Sequence, residues 1–220
     1  MPAWVGPVAS YVTEGLVTTL LLALVSIVAS VALGTVLGTL LTLPNLAVRV
    51  IVRAYVEIWR GLPIIITLFF IFFVLPVIGI EVNTFAAAAA GLTLWGSANV
   101  AEVVRGAVQS VPRGQAEAAA ALGFPWRRRM RHVILPQATR RALPPLVGLV
   151  VNLTQQTSLA AVIGLLDILE ASQRSIERLT LSGGSTHAVP ILGAVLVVFF
   201  VLCLPLTLLS RRLERVLEVS

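Results

Sequence analysis

Between Ala142 and Leu166 an otherwise apolar stretch carries Asn152, Thr154, Gln155, Gln156, Thr157 and Ser158 almost in succession. Polar groups at hydrocarbon depth are costly unless they face protein or water. Amides and hydroxyls both donate and accept hydrogen bonds, so the run suits non-covalent handling of a small zwitterionic solute. Two readings stand. Asn152, Gln155, Gln156, Thr157 and Ser158 line or gate a substrate pathway, or they hold helices together through bonds of about 0.6–2 kcal/mol each.

The titratable residues point away from covalent chemistry. Glu102 and Arg105 are three apart on one helical face, the spacing of a structural ion pair. Arg53, Glu57 and Arg60 repeat that pattern. His132 and His187 stand far apart in the chain, and no Cys, His or Asp cluster has metal-ligand spacing. The single Cys203 sits in an apolar run, so no disulfide framework exists within the chain. There are 16 basic residues, all Arg. Without a Lys, no phosphate-binding loop ending in Lys-Ser or Lys-Thr can form. No nucleotide site or other cofactor is expected in this chain.

These residues need elements to hold them, and composition says what kind. Of 220 residues, 58% are hydrophobic and only 12% charged, with a mean hydropathy of +0.98. A soluble domain averages about 25% charged residues and cannot hide this much apolar surface. A soluble enzyme, a nucleic-acid-binding domain and a disordered chain are therefore set aside. The chain reads as an all-α membrane protein, a single transmembrane domain over 1–220, in contact with lipid.

A spanning helix needs about 20 mostly apolar residues. Five stretches qualify: Leu16–Leu43, Gly61–Gly79, Thr84–Ala101, Ala142–Leu166 and Ala188–Leu209. The first holds Gly34 and Gly38 at GxxxG spacing, preceded by Ser26 and Ser30, a smooth face for close helix contact. The second carries Phe69, Phe70, Phe72 and Phe73, read as lipid-facing or packing surface. Trp4 and Tyr11 read as an outer interfacial segment, and Ser182 to Ser185 as a flexible turn. Arginine clusters in alternate connections: Arg49 and Arg53, then Arg105 through Arg141, then Arg211, Arg212 and Arg215. The positive-inside rule puts these in the cytoplasm, which gives five spans with the N-terminus outside and the C-terminus inside. No span centre holds an Asp or Glu, against an ion-coupled secondary transporter or a stand-alone channel.

The connection over 106–141 is the most structured of these. It reads Val111-Pro112-Arg113-Gly114-Gln115-Ala116-Glu117-Ala118-Ala119-Ala120-Ala121-Leu122-Gly123-Phe124-Pro125-Trp126, followed by arginines. Local rules predict a short Ala-rich helix stopped at Gly123, with Glu117 in its first turn, and a second helix opened by Pro125. Small side chains let the first helix seat in a groove of another protein, and the arginines suit an acidic rim or anionic lipid.

Glu117-Ala118-Ala119, Gly123 and Leu135-Pro136 resemble the EAA motif of permease subunits of bacterial ABC importers, at family spacing, with Val133 where Ile is preferred. Arg60-Gly61-Leu62-Pro63, Arg113-Gly114-Gln115, Leu122-Gly123 and Thr157-Ser158-Leu159 are similar to the polar amino acid uptake subfamily. The resemblance implies a type I importer (MetI-like) fold of about five helices in the bacterial cytoplasmic (inner) membrane. It also implies that Gly114, Glu117, Ala118, Ala119 and Gly123 form a coupling helix that docks into a cytoplasmic ATPase dimer. A second permease copy or homologue and an extracytoplasmic substrate-binding protein complete the implied partners. The implied function is ATP-driven import of a small polar solute such as an amino acid. Where the subfamily often has Lys-Asp, this chain has Gln155 and Gln156, and Gly148 and Leu149 replace an Asn and a polar residue. The more neutral lumen keeps another zwitterion, such as a compatible solute, open as an alternative.

Overall fold

The computed structural model describes residues 4–183 and 187–218. Of the expected turn at Ser182 to Ser185, Gly184 and Ser185 lie outside the described residues. All regular structure among them is helical: α1 Val5–Leu40, α2 Leu46–Gly61, α3 Ile64–Phe69, α4 Thr84–Gln109, α5 Arg113–Ala121, α6 Trp126–Arg129, α7 Leu135–Gln156, α8 Ile168–Gly183 and α9 Ala188–Glu218. Short π turns at Phe70–Val74 and Met130–Ile134 follow α3 and α6, and 3₁₀ turns cover Leu75–Ile78 and Thr157–Ile163.

Three helical runs are long and apolar enough to cross a membrane by themselves: Val5–Leu40, Trp126–Ile163 and Ala188–Val216. A fourth counts if Leu46–Gly61 and Ile64–Ile78 form one broken span. The expected second span therefore differs from its prediction. The helix stops at Gly61 and restarts only after Pro63, because the residue before a proline is pushed out of helical backbone. The restarted piece, 15 residues at about 1.5 Å each, is too short to cross about 30 Å alone. The third expected span is α4. Its 26 residues reach far enough, but its Gly, Thr, Ser and Asn residues keep it outside the three strongly apolar runs. The first helix also starts earlier than expected. Tyr11 lies within α1 rather than in a separate interfacial segment.

Both π turns have one local cause. Each ends just before a Leu-Pro pair, Leu75-Pro76 and Leu135-Pro136. Proline has no N–H to donate and its ring presses on the carbonyl four residues back, here Phe72 and His132. Widening the turn by one residue relieves that clash. At the second turn, side chains capture nearby carbonyls: Gln137 Nε2 donates to the Val133 oxygen at 2.9 Å and Thr139 Oγ1 to the Leu135 oxygen at 2.9 Å.

Packing divides the chain into two compact units. One comprises Met1–Val28, Leu62–Thr93 and Val151–Pro205. In it, α1 meets the start of α8. A Cβ on Gly15 would lie 2.5 Å from the Asp167 carbonyl oxygen, so only glycine permits this approach. Buried Thr19 accepts the Ile168 N–H at 3.0 Å and donates to the Gly15 carbonyl at 3.0 Å. Asp167 caps α8, its Oδ1 accepting the Glu170 N–H at 2.8 Å.

The other unit comprises Ala29–Gly61, Leu94–Val150 and Leu206–Ser220. Here the GxxxG face of α1 packs on α4. A Cβ on Gly34 would lie 2.5 Å from the Ser97 oxygen, and one on Gly38 2.7 Å from that of Ala101. Leu41, Val52, Val56 and Ala101 form a core where α1, α2 and α4 meet. Ala107, Val111, Ala138 and Ala142 form a second where α4 meets α7.

Candidate transport and coupling site

The Ala-rich segment forms α5. Pro112 stands at its N-cap in extended backbone and Leu122 at its C-cap. Gly123 follows with φ 76°, the left-handed conformation that ends a helix at least cost in glycine. Glu117 is the fifth helical residue, not in the first turn as expected, and no acid occupies that first turn. Its carboxylate is thus too far along to serve the helix N-terminus. Gly114, Glu117, Ala118 and Gly123 are exposed, but Ala119 is 5% exposed and packed inside. Ala119 therefore belongs to the internal face of α5, which rests against the Met130–Ile134 turn. Leu122 entered the sequence reading only with Gly123, as part of the subfamily resemblance, and was given no role of its own. It is 76% exposed at the tip of α5, the one large apolar side chain presented there. Its place beside a helix-stopping Gly123 was the available signal.

The polar run spans the change from α7 to the 3₁₀ turn, and its members do not share one environment. Asn152 and Gln155 are exposed and three apart on one face. The Gln155 side chain is hydrogen-bonded with the Cys203 thiol of α9. Gln156 and Ser158 are half-buried, and the Ser158 hydroxyl donates to the Gln155 carbonyl at 2.9 Å. Thr157 is fully buried and donates to the Thr154 carbonyl at 2.7 Å. Its hydroxyl is spent on its own helix and it lines no surface, contrary to the expectation for a pathway residue.

Glu102 is the hub of a charge cluster on α2 and α4. Its Oε2 accepts from Arg105 Nε at 2.9 Å and Arg53 Nη1 at 3.2 Å, and its Oε1 pairs with Arg105 Nη2 and with Arg60 Nη1 at 4.0 Å. Arg53 also pairs with Glu57 at 2.5 Å, and Arg60 Nε donates to Asn99 Oδ1 at 3.3 Å. Sequence spacing suggested the Arg105 partner; the two arginines of α2 come from tertiary packing. Among the described residues no group of three or more His, Cys, Asp or Glu side chains could hold a metal.

Apolar helices, a short small-residue helix and neutral amides near the end of α7 offer groups that can bind and pass a small solute. Residues 30–219 match the model of the binding-protein-dependent transport system inner membrane component family. The chain belongs to that family. This inner membrane component is a permease subunit of an ABC importer, a transport part and not an enzyme, and membership implies an ATPase and a substrate-binding protein as partners. It is 33% identical over 205 residues to the probable glutamine ABC transporter permease protein GlnP of Bacillus subtilis (strain 168), covering 93% of each chain. It is 32% identical over 215 residues to the glutamine transport system permease protein GlnP of Escherichia coli (strain K12), covering 97% of this chain and 95% of that one. The structure of an amino acid ABC transporter with histidines superposes with a TM-score of 0.84 at 26% identity, over 94% of each chain. The inward-facing MetNI methionine ABC transporter shares the fold, with a TM-score of 0.75 at 22% identity. The inner membrane component therefore has the all-helical MetI-like permease fold.

Proposed function

We propose that this permease imports a neutral or zwitterionic amino acid, with Asn152, Gln155 and Gln156 along the substrate route. The carrying observation is the exposure of Asn152 and Gln155 on one face of a membrane helix. An exposed amide facing lipid would be unfavourable, so that face is turned to water, solute or a companion subunit. Relatives named for glutamine support an amino acid substrate. Neutral amides in place of charge favour an uncharged side chain over a cationic one, since they offer both donors and acceptors without a fixed charge.

The topology that best fits the arginines has five crossings: α1, the α2–α3 pair, α4, α7 with its 3₁₀ end, and α9. The N-terminus lies outside and α5 inside, and the whole is one transmembrane domain with 106–141 as its cytoplasmic loop. Two permease subunits enclose the route, because one such subunit supplies a single wall. ATP·Mg is bound by the ATPase dimer, and α5 receives its motion through Glu117, Leu122 and Gly123. The test is uptake of radiolabelled glutamine by proteoliposomes holding the full complex and its binding protein. Gln155→Ala should lower uptake about tenfold, equivalent to about 1.4 kcal/mol. Unchanged uptake and unchanged preference for glutamine over arginine would overturn the assignment.

A further inference from the structure

A cavity of about 380 Å³ opens among α5, the Met130–Ile134 turn and α7, lined by Gln115, His132, Val133, Pro136, Gln137 and Arg140. Its polar lining consists of groups that can donate, and no carboxylate lines it. His132 Nδ1 faces the Arg128 carbonyl at 3.1 Å, which leaves Nε2 available. Gln137 uses one amide N–H on the Val133 oxygen and keeps the other. Arg140 is exposed and takes part in none of the ion pairs among the described residues.

The surroundings reinforce this. From Arg105 to Arg141 the chain holds eight arginines against one acid, Glu117. Arg127, Arg128 and Arg131 are exposed, and none of them joins those ion pairs. Topology alone would require positive charge on this side, but not a cavity lined by hydrogen-bond donors together with Val133 and Pro136. Guanidinium groups bind phosphate oxygens through paired N–H donors, and the apolar side chains of Val133 and Pro136 suit the glycerol stem of an amphiphile.

We propose that this cavity binds the phosphate of an anionic phospholipid headgroup, with Arg140 and His132 as its principal donors. Naming the inner leaflet as the source rests on the cytoplasmic placement of α5 proposed above; the binding chemistry does not. Because Gln115 belongs to α5, an occupied pocket ties the coupling helix to the membrane surface. The experiment uses the purified permease–ATPase complex, incubated with equal phosphatidylglycerol and phosphatidylcholine, with retained lipid read by native mass spectrometry. Phosphatidylglycerol should be retained severalfold over phosphatidylcholine. The preference should vanish in the Arg140→Gln/His132→Gln double variant and survive in Arg49→Gln. Gln115→Leu, a gentler change, should weaken it. Equal retention of both lipids, or a preference untouched by the double variant, overturns the proposal. Displacement by millimolar inorganic phosphate without lipid preference overturns the lipid as the source. Arg128→Cys should be labelled by an impermeant thiol reagent from the cytoplasmic side only; labelling from the outer side overturns the leaflet.

Discussion

Arg53 Nη1 of α2 lies 3.2 Å from Glu102 Oε2 of α4, and this contact joins two helices that the sequence separates by 49 positions. Arg60 and Arg105 share the same carboxylate. Glu102→Gln removes the only acid common to three guanidiniums, and partial exposure limits the cost to about 1–2 kcal/mol. The melting temperature of the purified complex should fall by about 2–6 °C. A double-mutant cycle with Arg53→Gln should return a favourable coupling; a coupling of zero would show the contact to be energetically idle.

Close approach of α1 and α4 depends on glycine. Gly34→Ala forces a Cβ against the Ser97 oxygen and the Val100 side chain, at about 1–3 kcal/mol. Gly148→Ala in α7, with open space around it, should be neutral or stabilising by up to about 1 kcal/mol. The melting temperature should therefore fall for Gly34→Ala and hold or rise for Gly148→Ala.

Asp167 lies beyond the fourth proposed span, fully buried, with Oδ2 lacking a hydrogen-bond partner. Burial raises its pKa from 3.8 to about 6, opposed by the backbone N–H groups it caps. The folded chain therefore holds this proton more tightly than the unfolded chain. Between about pH 4 and 6 the folded state binds more protons, so stability falls as pH rises through that window and levels off above it, by at most about 3 kcal/mol. Asp167→Asn keeps a good cap and should flatten this slope in pH-dependent melting. Asp167→Ala should also flatten it but lose about 1 kcal/mol of capping.

The π turn at Met130–Ile134 holds one residue more than an α-helix would. Deleting His132 removes the residue that relieves the Pro136 clash, so the α6–α7 junction should kink and α5 should turn against α7 by up to about 100°, one residue's turn. ATP hydrolysis should then proceed with little transport. Transport per ATP equal to that of the unaltered chain would show that the turn plays no part in coupling.

Much of this was legible because it obeys local rules. Gly123 and Pro125 bracket a turn by backbone preference alone, and Gly34 and Gly38 announce a close helix contact by spacing. What escaped the sequence depends on neighbours. The inward face of Ala119 is set by the Met130 turn, and the burial of Thr157 follows from the 3₁₀ turn that ends α7. Arg53 and Arg60 reach Glu102 only once α2 lies on α4. The two π turns had a readable signal in Leu75-Pro76 and Leu135-Pro136, but proline is ordinarily taken as a stop rather than a widened turn. Pro63, read as part of the opening of the second apolar stretch, separates α2 from α3, so the helix restarts only at Ile64.

The docking of α5 on the ATPase, proposed above, is the central claim. Leu122 and Glu117 are exposed on α5 while Ala119 is turned inward. The decisive measurement is ATPase recovered with affinity-tagged permease. Leu122→Asp and Glu117→Lys should each reduce recovery about tenfold or more, equivalent to at least about 1.4 kcal/mol, while the permease keeps its melting temperature. Full ATPase recovery with both variants would contradict it.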